Sequence, residues 1–197
     1  MKSKSFILLT VLLIFGNSSL IYSKPLSSDT NANRSSKWAV KMVGASIDDL
    51  PNFHKVSDVL YRGAQPTEAG IKQLKKIGVK TIINLRSFNS DRGEINRTDI
   101  NYIHLYVKAW HIEEKEIINF LKTVSDTALT PVFVHCQHGA DRTGTMCAIY
   151  RIFKENWTKK EAIDEMVNGG FGYHTIWKNL IKFINNLDVE KIRKKLE

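Results

Sequence analysis

The sequence is poor in cysteine, with only Cys136 and Cys147 in 197 residues. Two cysteines are too few for the disulfide framework of a small secreted fold. They stand eleven positions apart, about three turns of a helix, and should be well separated in space. We therefore expect Cys147 to be a small buried apolar residue, with a redox partnership as the alternative, and Cys136 to be catalytic rather than structural.

Long apolar runs are also scarce, and the one present lies at the start of the chain. Residues 6–15 are apolar except for Thr10, a short basic segment precedes them, and small polar residues follow as far as Ser23. This three-part pattern predicts a secretory signal peptide over residues 1–23, and hence a periplasmic or secreted protein. The run is short for a bilayer, so an uncleaved anchor is the alternative, and we expect no stable membrane span once the leader is removed.

Acidic residues are outnumbered by basic ones, 20 to 29, which gives a formal charge of +9. Removal of a leader that carries Lys2 and Lys4 would leave +7. This charge suits an anionic ligand or surface, although a solvated basic surface without a partner explains it equally well. We expect no nucleic acid partner.

The chain shows no internal repeat and no linker that would divide it. A hydrophobic share of 43% excludes a disordered chain. Residues 24–45 are rich in Ser, Asn, Asp and Lys, which predicts a flexible N-terminal segment. We predict a single domain over residues 46–197.

Strand and helix patterns alternate through this domain. Strand patterns cover residues 55–62, 79–85, 102–107 and 131–134, and helix patterns cover 67–77, 113–126, 145–153, 158–169 and a last stretch from about 175 into the tail. The alternation predicts an α/β sandwich with a central, mostly parallel sheet of four or five strands flanked by helices. Ligands of such sheets bind at the carboxyl ends of the strands.

A polar loop follows the strand at 131–134 and leads into a helix. Unpaired backbone N–H groups and the positive end of the helix dipole converge at such a junction and form an anion site. The same field favours Cys136 as a thiolate, and Arg142 can offer a two-pronged donor to phosphate oxygens. The sequence therefore predicts a phosphate-binding loop made of Gln137, His138, Gly139, Ala140, Asp141 and Arg142.

The motif HCQHGADRTG at residues 135–144 resembles the signature of the cysteine-dependent protein tyrosine and dual-specificity phosphatases. Residues 60–66 and 79–86 resemble the early strand, turn and second strand of the small atypical dual-specificity phosphatases, including exported bacterial ones. The resemblance covers about residues 53–187. It implies hydrolysis of phosphate monoesters on phosphotyrosine, and on phosphoserine or phosphothreonine, through a phosphocysteine and without a metal or other cofactor.

The resemblance also implies roles for the loop residues. Cys136 would attack phosphorus while Arg142 and the loop amides hold the oxygens. Thr143 would hydrogen-bond the sulfur, unless it only caps the helix, and His135 would support the loop. We expect His135, His138 and Cys136 to serve phosphate binding rather than zinc, because no fourth ligand is evident.

The general acid of the family has no counterpart at its usual place. That place falls near residues 106–110, where no carboxylate stands. Glu113 and Glu114, at the start of the next helix, are candidates, although such residues ordinarily stabilise the helix dipole. Asp141 is the other candidate. It resembles the loop aspartate of the myotubularin lipid phosphatases. Two roles remain open for Asp141: a general acid, or a brace that holds the loop or Arg142 by hydrogen bonds.

Three other functions compete with a protein phosphatase. A phosphoinositide or inositol-phosphate phosphatase would share the mechanism and act on an anionic phospholipid or inositol phosphate; the net charge and Asp141 favour it, and the absence of paired lysines from the loop disfavours it. A non-catalytic phosphate-binding module would explain the missing acid but would not require Cys136. A rhodanese-like sulfur transferase fits the end of the motif poorly.

Overall fold

A six-stranded sheet forms the centre of the computed structural model, which describes residues 35–197. The strands are β1 (Val40–Lys41), β2 (His54–Lys55), β3 (Leu60–Gly63), β4 (Thr81–Asn84), β5 (Asn101–His104) and β6 (Val132–His135). Their order across the sheet is β1-β2-β3-β6-β4-β5, and the three pairings among β3, β6, β4 and β5 are parallel. The predicted α/β fold with a mostly parallel sheet is confirmed.

Seven helices accompany the sheet in this part of the chain. They are α1 (Glu68–Lys76), α2 (Arg92–Ile95), α3 (Glu114–Ser125), α4 (Asp141–Lys154), α5 (Lys159–Asn168), α6 (Lys178–Asn185) and α7 (Val189–Leu196). The predicted caps are present: the Thr67 hydroxyl accepts from the backbone N–H of Gly70 at 3.1 Å, and Thr158 and Glu161 form a capping box.

The central strand β6 is buried on both faces, as its continuous apolar sequence predicts. Val132 and Val134 belong to the larger core cluster, which includes residues of α3, α4, α5 and α6, while Phe133 belongs to the smaller cluster with residues of α1. This alternation follows from the two-residue period of a strand. Position 136, directly after β6, lies at the carboxyl end of this central strand, between its parallel neighbours β3 and β4.

The N-terminal edge of the sheet differs from the prediction. We expected four or five strands, and the additional ones are the two-residue antiparallel strands β1 and β2. Residues 55–62, predicted as one strand, form a hairpin in which β2 turns back into β3. Trp38 and Ala39, which we placed in the flexible segment 24–45, are buried at 8% and 1% exposure, so ordered structure begins before residue 46.

A buried ion pair ties this N-terminal edge to the helices. The guanidinium of Arg151 on α4 donates to both carboxylate oxygens of Glu165 on α5 at 2.7 Å, and to the carbonyls of Lys37 and Val56. Glu165 also accepts from the backbone N–H of Ala39 at 2.6 Å. Burial acts to lower the pKa of Arg151, but the carboxylates of Glu165 and Glu155 outweigh it and raise that pKa. The cluster fixes residues 37–39 against the domain.

The C-terminal stretch, predicted as one helix, forms two. Helix α6 ends at Asn185, and Asp188 accepts from the backbone N–H of Lys191 at 2.9 Å to cap α7. Cys147 on α4 is buried as predicted, and burial raises its pKa to about 11. Within residues 35–197, no helix is both long and apolar enough to cross a membrane. The predicted leader lies outside the described residues.

Candidate active site

The loop between β6 and α4 turns its carbonyl groups outward. The carbonyl of Gln137 accepts from the backbone N–H of Gln65 at 3.3 Å, and that of His138 accepts from the side-chain amide of Asn52 at 3.0 Å. The carbonyl of Gly139 accepts from the guanidinium of Arg62 at 2.7 Å. In a planar trans peptide the next N–H points opposite to the carbonyl. The N–H groups of residues 138–140 therefore point to the inner side of the loop, where they can surround an anion.

Three residues that hold this loop were not predicted from the sequence. Arg62 is 1% exposed, and its guanidinium carbon lies 3.8 Å from the centre of the Phe171 ring. Asn52 adopts a positive φ of 55° and also donates to the Phe171 carbonyl at 2.9 Å. Arg62 and Gln65 lie in the stretch 60–66 that resembles the phosphatase family, so this resemblance could have pointed to them. No sequence pattern pointed to Asn52.

Gly139 is required by the close approach of the loop to the end of β3. Its φ is +67°, and a Cβ at this position would lie 2.4 Å from the carbonyl carbon and oxygen of Gly63. Both the dihedral angle and the contact exclude a side chain. The glycine therefore lets the loop pack directly on its neighbouring strand.

Cys136 is 2% exposed and begins the loop, while Arg142 lies on the first turn of α4 and is partly buried. Nη1 of Arg142 donates to the carbonyls of Leu85 and Val107 at 3.2 and 3.3 Å. These carbonyls follow β4 and β5 along the chain. The carboxyl ends of both strands thus fix the guanidinium that the sequence predicts as the phosphate ligand.

A chain of polar groups, buried at Asp91 and half-buried further out, supports His135, directly before the cysteine. His135 is fully buried, with Nε2 2.8 Å from Oδ2 of Asp91 and Nδ1 3.4 Å from the carbonyl of Cys136. Asp91 also accepts from the Gln65 amide at 2.6 Å, and Gln65 accepts from Arg86 at 2.9 Å. Burial acts to raise the pKa of Asp91, but the bond to His135 and the other contacts outweigh it and lower that pKa.

Thr143 lies within α4, whose first residue is Asp141. It is fully buried, and among the described residues its hydroxyl has no hydrogen-bond partner. The cap position is occupied by Ala140, so capping is not the role of Thr143.

The three candidate acids have different surroundings. Asp141 accepts from the backbone N–H of His174 at 2.9 Å and lies 2.8 Å from its Nδ1. The bond from Lys115 lowers the pKa of Glu113, and the bond from Lys191 lowers the pKa of Glu114. Neither glutamate lines the cleft at the loop, so the structure brings only Asp141 to it.

The cleft beside the loop has a volume of about 510 Å³. Its polar lining combines loop residues with Arg86 and His174. Its apolar lining is partly exposed: Phe88 is 89%, Trp110 60% and Ile176 80% exposed. The described residues contain no group of three or more His, Cys, Asp or Glu side chains arranged to hold a metal ion.

A cysteine at the end of a buried central strand, followed by a loop whose amides face inward and by an anchored arginine, is the arrangement of the cysteine-dependent phosphatases. The chain is one of these, of the small atypical dual-specificity type. It belongs to the family described as DSP-PTPase phosphatase fused to NAD+ kinase, whose model matches residues 32–178.

Known relatives and solved structures agree with this assignment. The dual specificity protein phosphatase TpbA of Pseudomonas aeruginosa is 29% identical over 168 residues, which cover 85% of this chain and 74% of TpbA. A crystal structure of a TpbA variant in complex with pTyr matches with a TM-score of 0.71 and 28% identity over 83% of this chain and 98% of the other. An inositol diphosphatase of Arabidopsis thaliana, DSP3, is 25% identical over 153 residues, with 72% of each chain covered.

Proposed function

We propose that this chain is an exported phosphatase that hydrolyses phosphotyrosine, and secondarily phosphoserine or phosphothreonine, in proteins. The observation that carries the proposal is the loop itself, which presents inward-facing amides between Cys136 and the anchored Arg142. A tetrahedral phosphate needs several donors directed at its oxygens, and this loop supplies them. The complex of TpbA with pTyr supports the same substrate class.

The mechanism follows from these positions. Cys136 attacks phosphorus in line with the leaving oxygen and forms a phosphocysteine, which water then hydrolyses. Nη1 of Arg142 is held by two carbonyls, so Nε and Nη2 are directed to the phosphate oxygens. The buried Thr143 hydroxyl is available to stabilise the departing sulfur. The thiolate and the guanidinium together supply the nucleophile and the positive charge, so the mechanism requires no metal.

The apolar rim of the cleft favours an aromatic substrate group. Phe88, Trp110 and Ile176 expose apolar surface beside the loop, and burial of such surface against a phosphorylated tyrosine ring is favourable. A serine or threonine phosphate offers no ring to this rim. We therefore expect a higher kcat/KM for phosphotyrosine peptides than for matched phosphoserine peptides.

Phosphate release from a phosphotyrosine peptide, with and without a chelator, tests the mechanism. The wild-type protein should be active in both conditions, and Cys136→Ser should be inactive. Full activity of the serine variant, or loss of wild-type activity with chelator, would exclude the thiol mechanism. Phosphate binding by the wild type without any turnover would instead support a binding module.

An inositol-phosphate substrate is the second candidate. Arg86 lines the cleft together with Arg142 and His138, and this additional positive charge suits a ligand with several phosphates. The similarity to an inositol diphosphatase supports the same alternative. Parallel assays with a phosphotyrosine peptide, an inositol polyphosphate and phosphoinositide vesicles, at equal phosphate concentration, rank the candidates.

The exported location is proposed from the leader pattern at residues 1–23. Expression of the full chain in a bacterium, followed by fractionation and N-terminal mass determination, tests it. The expected product lies outside the cytoplasm and begins near residue 24. A product that retains residue 1 in the cytoplasm would contradict the proposal.

A further inference from the structure

His174 and Asp141 form a pair at the mouth of the phosphate loop. Both oxygens of Asp141 accept hydrogen bonds from His174, one from the backbone N–H and one from Nδ1. The Asp141 side chain is 10% exposed, whereas the His174 side chain is 49% exposed. One member is thus buried and held in place, and the other reaches solvent.

This arrangement assigns different roles to the two side chains. A carboxylate with both oxygens engaged as acceptors is suited to orient a partner rather than to donate a proton. An imidazole that gives its Nδ1 hydrogen to a carboxylate is fixed in orientation, and its Nε2 points away from that carboxylate. Nε2 of His174 is therefore the nitrogen available to a substrate.

His174 also lies in the correct cleft. It lines the same cavity as Gln137, Arg142 and Trp110. The titratable and charged groups that line this cleft with it are Asp141 from α4, His138 from the loop at 5.4 Å between ring centres, and Arg142 and Arg86. Asp141 is the acidic group among them, and it makes the direct contact.

We propose that His174 is the general acid of the phosphatase reaction and that Asp141 is its positioning residue. The inference rests on the proposed function and supplies the proton donor that Glu113 and Glu114 do not supply. As the bond between Cys136 Sγ and phosphorus forms, the bond from phosphorus to the leaving oxygen breaks. Its electron pair stays on that oxygen, which takes the proton from His174 Nε2.

The second step reverses the proton movement. A water oxygen bonds to phosphorus, the bond between phosphorus and Sγ breaks, and its electron pair returns to the sulfur. The proton of the water passes to Nε2 of His174, which restores the imidazolium. The cycle then begins again with a thiolate and a protonated histidine, so protons and electrons balance.

A series of aryl phosphates with leaving groups of increasing basicity tests this role. His174→Gln should lower kcat/KM for phenyl phosphate by about 10²-fold or more, which is the scale of a lost general acid. The loss of kcat/KM for nitrophenyl phosphate should be smaller by a factor of about ten or more, because its leaving group needs little protonation. Asp141→Asn should show the same trend with a smaller loss. His111→Gln, an exposed histidine outside the cleft lining, is the matched control and should behave as wild type.

The pH profile provides a second readout. In the wild type, kcat for phenyl phosphate should fall on the basic side of the pH profile, and this fall should be absent from His174→Gln. An equal loss for all leaving groups, a change in KM alone, or an unchanged basic limb would overturn the assignment. Failure of the proposed function would differ, because the wild type would then release no phosphate from any ester.

Discussion

The glycine at position 139 gives the most local test of the loop. A Cβ at Gly139 would collide with the backbone of Gly63, and its φ of +67° already disfavours a side chain. Gly139→Ala should displace the loop and lower kcat/KM by about 10²-fold or more, because misplaced donors no longer meet the phosphate. Phosphate release and thermal unfolding of the variant are the measurements.

Gly78→Ala is the matched control for that variant. Gly78 also has a positive φ, +87°, but a Cβ there would meet no atom within 4 Å, and the residue follows α1 away from the cleft. It should lose about 1–2 kcal/mol of stability from the strained backbone and keep its activity. Equal losses of activity in both variants would show that backbone strain, and not the contact with Gly63, explains the effect.

Asp91 should couple stability to pH through His135. The pKa of Asp91 is lowered in the folded state, so the contribution of its charge to stability is present above its unfolded pKa of about 3.9 and is lost as the pH falls through the lower folded value. Asp91→Asn should be less stable than wild type at neutral pH, and the difference in the free energy of unfolding between the two should become smaller in acid. Urea unfolding as a function of pH measures this.

The exposed Asp99, paired with Lys75, provides the control for Asp91. Asp99→Asn should change stability little at any pH, because exposed ion pairs contribute about 0–1 kcal/mol. Asp91→Asn should also lower kcat, since His135 precedes the nucleophile, and Asp99→Asn should not. A stability gap for Asp91→Asn that does not narrow below the unfolded pKa would contradict the account.

Helices and strands whose ends or apolar runs are marked locally in the sequence could be predicted from it. Helix α1 was predicted because Thr67 and Gly78 mark its ends locally, and β6 because its apolar residues are contiguous. The hairpin of β2 and β3 was missed because β2 is only two residues long, and the adjacent polar residues Ser57 and Asp58, which mark the turn, were assigned to a continuous strand. The role of Asp91 depends on a contact with His135 across 44 positions, which no local pattern reveals.

The buried ion pair between Arg151 of α4 and Glu165 of α5 should stabilise the packing of these two helices. Glu165→Gln leaves Arg151 with only the less buried Glu155, at 2.6 Å, as a counter-charge, and we expect a loss of about 3 kcal/mol in the free energy of unfolding, the low end of the range for a broken buried pair. Glu190→Gln, an exposed residue near Arg193 at 4.0 Å, should cost about 0–1 kcal/mol. Chemical denaturation compares the two, and an equally small loss in both would contradict a structural role for the buried pair.

At the scale of the whole molecule, the positive charge should attract anionic substrates. With a formal charge of +9, or +7 once the predicted leader is removed, and with Arg86 and Arg142 at the cleft, kcat/KM for a phosphorylated peptide should fall as salt is added, because ions screen attraction between charges more than about 8–10 Å apart at ~0.1–0.15 M. Initial rates at several salt concentrations measure this. Arg86→Gln should flatten the dependence, and a rate that rises with salt would contradict the prediction.

The central claim is that Cys136 carries the phosphoryl group during turnover. Rapid mixing with an aryl phosphate, an acid quench and mass spectrometry of the digested protein test it most directly. The account predicts a peptide that contains Cys136 and has gained one phosphoryl group, and it predicts no such peptide from Cys136→Ser. Turnover by the wild type with no phosphorylated Cys136 peptide at any quench time, or with the phosphoryl group on another residue, would contradict the account.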